Sequence, residues 1–507
     1  MLLKIGGTNM INALHRISEG LDFNRILTDI TPFFTYDLKS PWFFTEFGFL
    51  LTLAFFLIGY AFFKPKSQWK LIYLILFSLF FYYKSSGPLL VLFVGVILID
   101  YLLALAINAL EGGRKKLLLV FSVIYSLSFL LYFKYYDFVI ANLNQYLKTN
   151  FSEQNLFLPI GISFYTFQSL SYLIDVYRKE IPPSKNFLDY GFYMTFFPHL
   201  VAGPIVRARD FLPQISNPLP FTNDVSKEAL LRITAGLLKK LLIADYLAKY
   251  VDMVYQLPTG FSGFEHALAM YAYSFQIYFD FSGYSDIAIG IALILGYRLK
   301  ENFNNPYLAP NITSFWRRWH ISLSLWLRDY IYIPLGGNRK GVFLTYIFLL
   351  TTMLIGGFWH GADWRFVFWG FAHGMLLIIH KLLSPKEPSN RWWLRGLGIV
   401  FTFHCVGLLC IFFRAESIQV AFESIKLLTL NNNLAEFGAF WSARPEVILL
   451  LLFSALIVFL PEAWKQSLIN HVLSLPLYIW PIILLVALQL ILQFRDNSIE
   501  PFIYFQF

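Results

Sequence analysis

Charge is scarce in this 507-residue sequence: Asp, Glu, Lys and Arg make up 14% of it, against about 25% in an ordinary soluble domain. Hydrophobic residues reach 57% and aromatics 19%. A soluble fold of this length would leave too much apolar surface in water, which excludes an ordinary cytoplasmic enzyme. The abundance of Phe, Tyr and Trp equally excludes a disordered chain. Cysteine is almost absent. The two present, Cys405 and Cys410, share one apolar run with His404 at a spacing that suits neither a metal nor a disulfide. They read as packing residues. There is no phosphate loop, no nucleophile elbow and no zinc-binding H-E-x-x-H, and no metal site is expected. Residues 1–43 lack a continuous apolar core, so no cleavable signal peptide is apparent and the first span is expected to do the targeting.

What the chain does contain is long apolar runs. A membrane crossing takes about 20 mainly apolar residues. The clear candidates are Thr45–Phe63, Leu89–Leu110, Leu117–Phe133, Ala267–Leu295, Val342–Trp359, Phe366–Leu382, Leu394–Phe413, Val447–Phe459 and Leu477–Phe494. Shorter or interrupted ones are Leu71–Tyr83, Phe157–Leu173, Tyr190–Val201 and Leu230–Tyr250. The reading is an all-α integral membrane protein of about 11 spans plus re-entrant segments. Residues 1–43 form an N-terminal segment, and 44–507 form one multi-pass domain. The net charge of +9 fits basic cytoplasmic loops facing anionic lipid better than it fits nucleic acid, which is not expected as a partner. The short basic loops at Lys64, Lys66, Lys70 and at Arg114, Lys115, Lys116 read as cytoplasmic, which places residues 1–43 on the outer face. An amphipathic stretch is expected there around Ile11–Phe33.

Residues 301–341, ENFNNPYLAPNITSFWRRWHISLSLWLRDYIYIPLGGNRKG, interrupt this pattern. They are polar and broken by Pro306, Pro310, Pro334, Gly336 and Gly337, yet stand between two apolar runs. Irregular backbone at membrane depth survives only where protein buries it or it lines a wet cavity. Trp316, Trp319, His320, Leu323 and Leu327 follow a helical period, and Arg317 and Arg328 lie about three turns apart. A helix with a cationic edge at a membrane cavity is expected.

Of nine histidines, His360 stands out, in GGFWHGADW after a span and between Gly357 and Gly361. Such glycines allow close backbone approach and space beside the ring, and an ionisable group in a span is a functional candidate. Neutral imidazole is the form a general base needs. The competing reading is a histidine that caps the helix end. His320, beside Trp319 and two arginines, is the second candidate. His199 and His373 sit at similar breaks and read as packing or hydrogen-bonding residues. Asp280 and Asp286 are expected to pair with Arg317, Arg318 or Arg328; in a transporter they would form an ion relay.

The segments 158–178, 196–215, 278–290, 302–339 and 356–374, with FFRAESIQVAFESIKLL (412–428) and the C-terminal PFIYFQF, resemble the membrane-bound O-acyltransferase family, and most of all its bacterial alginate O-acetyltransferase branch. The likeness runs from about Phe77 to the end. His199 stands where the family more often has Gln. The resemblance implies a ring of tilted helices around a central funnel, with a tunnel joining the two membrane faces. It implies His360, in the WHG motif, as the catalytic histidine and His320, in RRWH, as the second. Acyl transfer from a thioester needs a base for the incoming hydroxyl and donors for the developing oxyanion. His360 suits the base. His320, with Asn304, Asn305 and Trp319, could position the carbonyl. Trp359 is counted with the substrate contacts, and Arg317, Arg318 and Arg328 could attract the donor's phosphates. No bound cofactor is expected; the donor is acetyl-CoA or another acyl thioester.

The expected function is O-acetylation of an exported or cell-surface polysaccharide, in the cytoplasmic membrane, with a periplasmic or extracellular acetyltransferase as partner. The alternatives are D-alanyl transfer to teichoic acid from a carrier-protein thioester, and a non-catalytic transporter or export scaffold.

Overall fold

The computed structural model describes residues 31, 33–37, 41–201, 203–383, 391–430, 434–494 and 501–503. The outer-face segment expected at 1–43, with its amphipathic stretch around Ile11–Phe33, lies largely outside them. Within them, Trp42, Phe43 and Phe44 are buried, and Phe44 stacks on Tyr284 at 4.7 Å. The packed domain therefore takes in at least two residues before the expected boundary at 44.

Every regular element among the described residues is helical. Seven stretches are long and apolar enough to cross a membrane: Gln68–Ala109, Gly112–Leu147, Gly263–Ile294, Val342–His360, Trp364–Leu383, Trp392–Arg414 and Leu477–Phe494. Phe437–Ala443 and Pro445–Phe459, bent by 97° at the break before Pro445, add an eighth if they act as one span. Phe47–Ala61 is apolar but shorter. Length and composition thus account for seven or eight crossings among the described residues, against the about 11 suggested by apolar runs. Part of the difference is that Leu71–Tyr83 and Leu89–Leu110 belong to one stretch, joined by the 3-10 turn Gly87–Leu89. Gly87 enters that turn at φ +58°, a left-handed conformation that costs glycine nothing. The run at 157–173 became Ile162–Tyr177, a helix buried almost throughout inside the protein.

The 32-residue helix Gly263–Ile294 is the centre of the fold. A capping box fixes its start: Ser262 Oγ accepts from Glu265 N–H, and the Glu265 carboxylate accepts from Ser262 N–H at 2.9 Å. Most of it is buried, because its small residues let a neighbour come close. A Cβ on Gly283 would lie 2.8 Å from the Gly236 carbonyl oxygen, and one on Gly290 would lie 2.8 Å from that of Ala229. The helix Asn223–Leu238 therefore packs backbone to backbone against it, in the manner of small-residue contacts in membranes.

That close packing decides the ion pairs. Lys240 reaches Asp280 at 2.6 Å and Asp245 at 2.7 Å, all three nearly sealed from solvent. Lys239 reaches Asp286 at 2.6 Å, and Arg232 joins it at 3.3 Å. Arg317, Arg318 and Arg328 are not the partners expected for these acids; Arg328 pairs with its own neighbour, Asp329, at 2.6 Å. Lys239 and Lys240 come instead from the turn that follows the close-packed helix, and Arg232 from that helix itself. Asp280 Oδ2 also accepts the Ile503 N–H at 3.0 Å, and Phe502 packs on Tyr284 and Phe281 at 4.7 and 5.3 Å. The C-terminal segment thereby reaches the middle of the protein.

Candidate active site

His360 is the last residue of the helix Val342–His360. A helix end leaves carbonyls without intrahelical partners, and here the partners come from a π-helical turn at 131–135. Lys134 Nζ donates to the Trp359 and His360 carbonyls, each at 2.8 Å, and Tyr135 Oη donates to that of Phe358 at 2.8 Å. The imidazole is therefore not needed as a cap. Its ring is 3% exposed, set among Trp359, Trp369 and Phe413 at about 5 Å between ring centres. The expected glycines serve close approach more than open space: a Cβ on Gly357 would come within 2.9 Å of Gly370 Cα, so this helix crosses Trp364–Leu383 in tight contact.

His320 is fully buried, and its backbone is left-handed at φ +40°, ψ +57°. The single helix expected across Trp316–Leu327 is accordingly two, Ile312–Trp316 and Ile321–Leu327, and the break is His320 itself. A non-glycine residue in this region is strained and is held by its surroundings. What holds it is Asn302, which is 1% exposed. The Asn302 carbonyl accepts from Ile321 N–H at 2.9 Å. Its side-chain Oδ1 takes Ser322 N–H at 3.2 Å, Ser322 Oγ–H at 2.9 Å and His320 Nδ1 at 3.1 Å. Because a backbone N–H can only donate, the shared atom is an oxygen, and His320 must donate to it from Nδ1. The lone pair of the neutral ring is then on Nε2.

Trp359 packs against both histidines, its ring centre 6.2 Å from His320 and 5.0 Å from His360. Phe167 stacks on Trp359 at 5.2 Å and on Trp326 at 3.7 Å, which fixes the plane of the indole. Phe281, against the C-terminal Phe502, meets His320 edge-on at 4.7 Å. Beside His360 lies a narrow cavity of about 20 Å³, lined also by Trp319, Tyr307, Trp369, His373 and Cys410. That is room for about one water molecule.

Of the residues expected at the site, His360, His320, Trp359 and Trp319 are brought together. Asn304 is exposed, with its N–H on the Arg318 carbonyl. Asn305 gives its amide to Glu462 and accepts from Lys465 at 2.5 Å, a clamp on a distant helix. Arg317 is exposed, Arg318 is half-buried, and Arg328 is exposed and held by Asp329. His199 is buried, with Nε2 donating to the Tyr193 carbonyl at 2.8 Å. His404 bonds Tyr271 and the Val400 carbonyl, and both cysteines are free thiols. Cys410, read as packing, lines the cavity.

Asn302, Lys134 and the placement of His373 were not foreseen. Lys134 had a signal: a lysine among aromatics just past the apolar run Leu117–Phe133. Asn302 had none that set it apart from its neighbours Asn304 and Asn305.

A multi-pass helical membrane protein with two buried histidines packed on one tryptophan has the parts of an intramembrane acid–base enzyme. Residues 42–411 match MBOAT, the membrane-bound O-acyltransferase family, and the chain belongs to that family. It is similar to a protein of Pseudomonas aeruginosa named a probable alginate O-acetylase, 44% identical over 364 residues, 70% of this chain and 69% of the relative. A peptidoglycan O-acetyltransferase of Helicobacter pylori is 39% identical over 385 residues, 70% of this chain and 73% of the relative. A teichoic acid D-alanyltransferase of Bacillus subtilis is 31% identical over 271 residues, 50% of this chain and 67% of the relative. The chain is thus a membrane-bound O-acyltransferase, nearer to the O-acetyltransferases cited than to the D-alanyltransferase.

Proposed function

We propose that this protein moves acetyl from a cytoplasmic thioester, acetyl-CoA or another acyl donor, across the cytoplasmic membrane for O-acetylation of an exported or cell-surface polysaccharide. The observation that carries the reading is that buried His360 and His320 both pack against Trp359, with His360 lining a cavity inside a helical membrane protein. The basic loop at Lys64–Lys70 faces the cytoplasm in this reading, and a ring of about 11 helices surrounds a funnel that leads from it. In the reaction the acceptor oxygen attacks the thioester carbonyl carbon, and His360 takes the hydroxyl proton. The new C–O bond forms, the C–S bond breaks, and His360 returns the proton to the departing thiolate. His320, with its Nε2 lone pair, supports proton movement or substrate placement at the same centre. A periplasmic or extracellular acetyltransferase passes the acyl group to the glycan.

The test is alkali-releasable acetate on surface glycans from wild-type cells, a deletion strain, and the deletion complemented with His360→Ala at matched membrane abundance. Loss of acetate in both the deletion and the variant supports the reading. Acetate retained by the variant removes His360 from the chemistry. Acetate unchanged in all three, with ester-linked D-alanine lost instead, moves the protein to D-alanyl transfer.

A further inference from the structure

His373 has no part in the mechanism so far, and the rest of the molecule makes it conspicuous. It sits on the helix Trp364–Leu383, is 1% exposed, and lines the same cavity as His360. Among the described residues the other two buried histidines outside the site, His199 and His266, each satisfy a backbone carbonyl at 2.8 Å through Nε2. His373 Nδ1 has no hydrogen-bond partner among the described residues. Its surroundings are rings: Trp369 at 4.5 Å, Trp316 edge-on at 5.1 Å and Phe315 parallel at 6.3 Å. The Trp316 indole N–H is also buried without a partner among the described residues. Two adjacent side chains that bury polar nitrogens without a hydrogen bond carry a desolvation cost that Phe or Leu would not incur. For His373 that cost is understandable if the missing partner is a ligand atom in the cavity it lines.

We infer that His373 is a substrate-contacting residue that donates a hydrogen bond to the acyl carbonyl oxygen of the donor thioester. The inference rests on the acyl-transfer reading above. As the acceptor oxygen adds to the carbonyl carbon, negative charge builds on the carbonyl oxygen, and a donor already in place and shielded from water stabilises it most. The charge collapses when the C–S bond breaks, so His373 keeps its proton throughout. His360 handles the hydroxyl proton from the neighbouring wall. The division of labour needs no group that the cavity does not already hold.

The experiment compares wild type with His373→Phe and His373→Gln, all full-length, in inside-out membrane vesicles supplied with radiolabelled acetyl-CoA. Thermal unfolding of the detergent-purified proteins is measured in parallel. Phe fills the same apolar wall without a polar atom, so His373→Phe is expected to melt no lower than wild type while kcat falls by about 10²–10³-fold with KM little changed. His373→Gln keeps an N–H donor and is expected to recover part of that rate. A His373→Phe protein within twofold of wild-type activity overturns the inference. So does one that melts well below wild type, because the imidazole then has a structural partner. A folded His373→Gln as inactive as His373→Phe overturns the donor role. If wild-type vesicles transfer no label from acetyl-CoA, the acyl-transfer reading fails instead, and the melting comparison still judges whether His373 is held for a ligand.

Discussion

Two regions of this protein hold ionisable side chains away from water, and they treat them differently. Along the central helix the acids are matched: buried Asp280 has Lys240 and the Ile503 N–H, and half-buried Asp286 has Lys239 and Arg232. In the candidate site, His320 has a dedicated acceptor in Asn302, while His373 Nδ1, at the cavity, and the neighbouring Trp316 indole have no hydrogen-bond partner among the described residues. A buried charge that is fully paired holds helices in register and has little capacity left for a ligand. A buried donor that borders a cavity without a partner is ready for one. Ionisable residues in a membrane protein are therefore better sorted by what already satisfies them than by depth alone.

The comparison breaks first at His360. His360→Ala is expected to lower acetate transfer by about 10²–10⁴-fold, the range of a lost general base, with the protein still abundant in the membrane; glycan acetate normalised to immunoblot checks it. On the paired side, Lys240→Met is expected to act through stability. It leaves Asp280 and Asp245 buried beside each other without their cation, a loss of about 3–5 kcal/mol, read as reduced accumulation and a lower melting temperature in detergent.

Asn302→Leu lies between the two. It removes the acceptor that fixes the His320 tautomer, and transfer should fall by about 10–100-fold, the scale on which groups that orient a histidine act. Nitrogen NMR of histidine-labelled protein, with the His320 signal identified by its loss in His320→Gln, should show the proton leaving Nδ1. An unchanged tautomer would mean that His320 is held by other contacts. The smallest effect is expected at Arg328. Its pair with Asp329 is exposed and worth about 0–1 kcal/mol, so Arg328→Ala should shift the melting point little. A marked rise in KM for acetyl-CoA in that variant would return Arg328 to the donor site, where its charge alone had placed it.

Much of this was legible in the chain. Scarce charge and long apolar runs define the membrane class, since hydropathy is a property of the segment itself. The polar, proline-broken stretch at 301–341 announced buried irregular backbone, and the family motifs singled out His360 and His320. What proved illegible was pairing. Arg317, Arg318 and Arg328 are the nearest cations by sequence pattern, yet Asp280 and Asp286 take Lys240, Lys239 and Arg232, because Gly236 and Gly283 bring that helix into backbone contact with the central one. Asn302, Asn304 and Asn305 look alike on paper. The left-handed turn at His320 aims the ring back at Asn302, while Asn305 closes on Glu462 and Lys465.

The sequence by itself determined that this is a helical membrane protein of the O-acyltransferase type, and it singled out His360 and His320 as the candidate site residues. Tertiary structure decided that Lys134, 226 residues away, closes the end of the His360 helix. It also decided that Asn302 sets the His320 tautomer and that His373 shares the cavity. The physical reason is the reach of each force. Hydropathy and helix breaking act within a few turns of chain, whereas a hydrogen bond or a shared cavity depends on where helices cross, and those crossings are set by glycine contacts between distant segments.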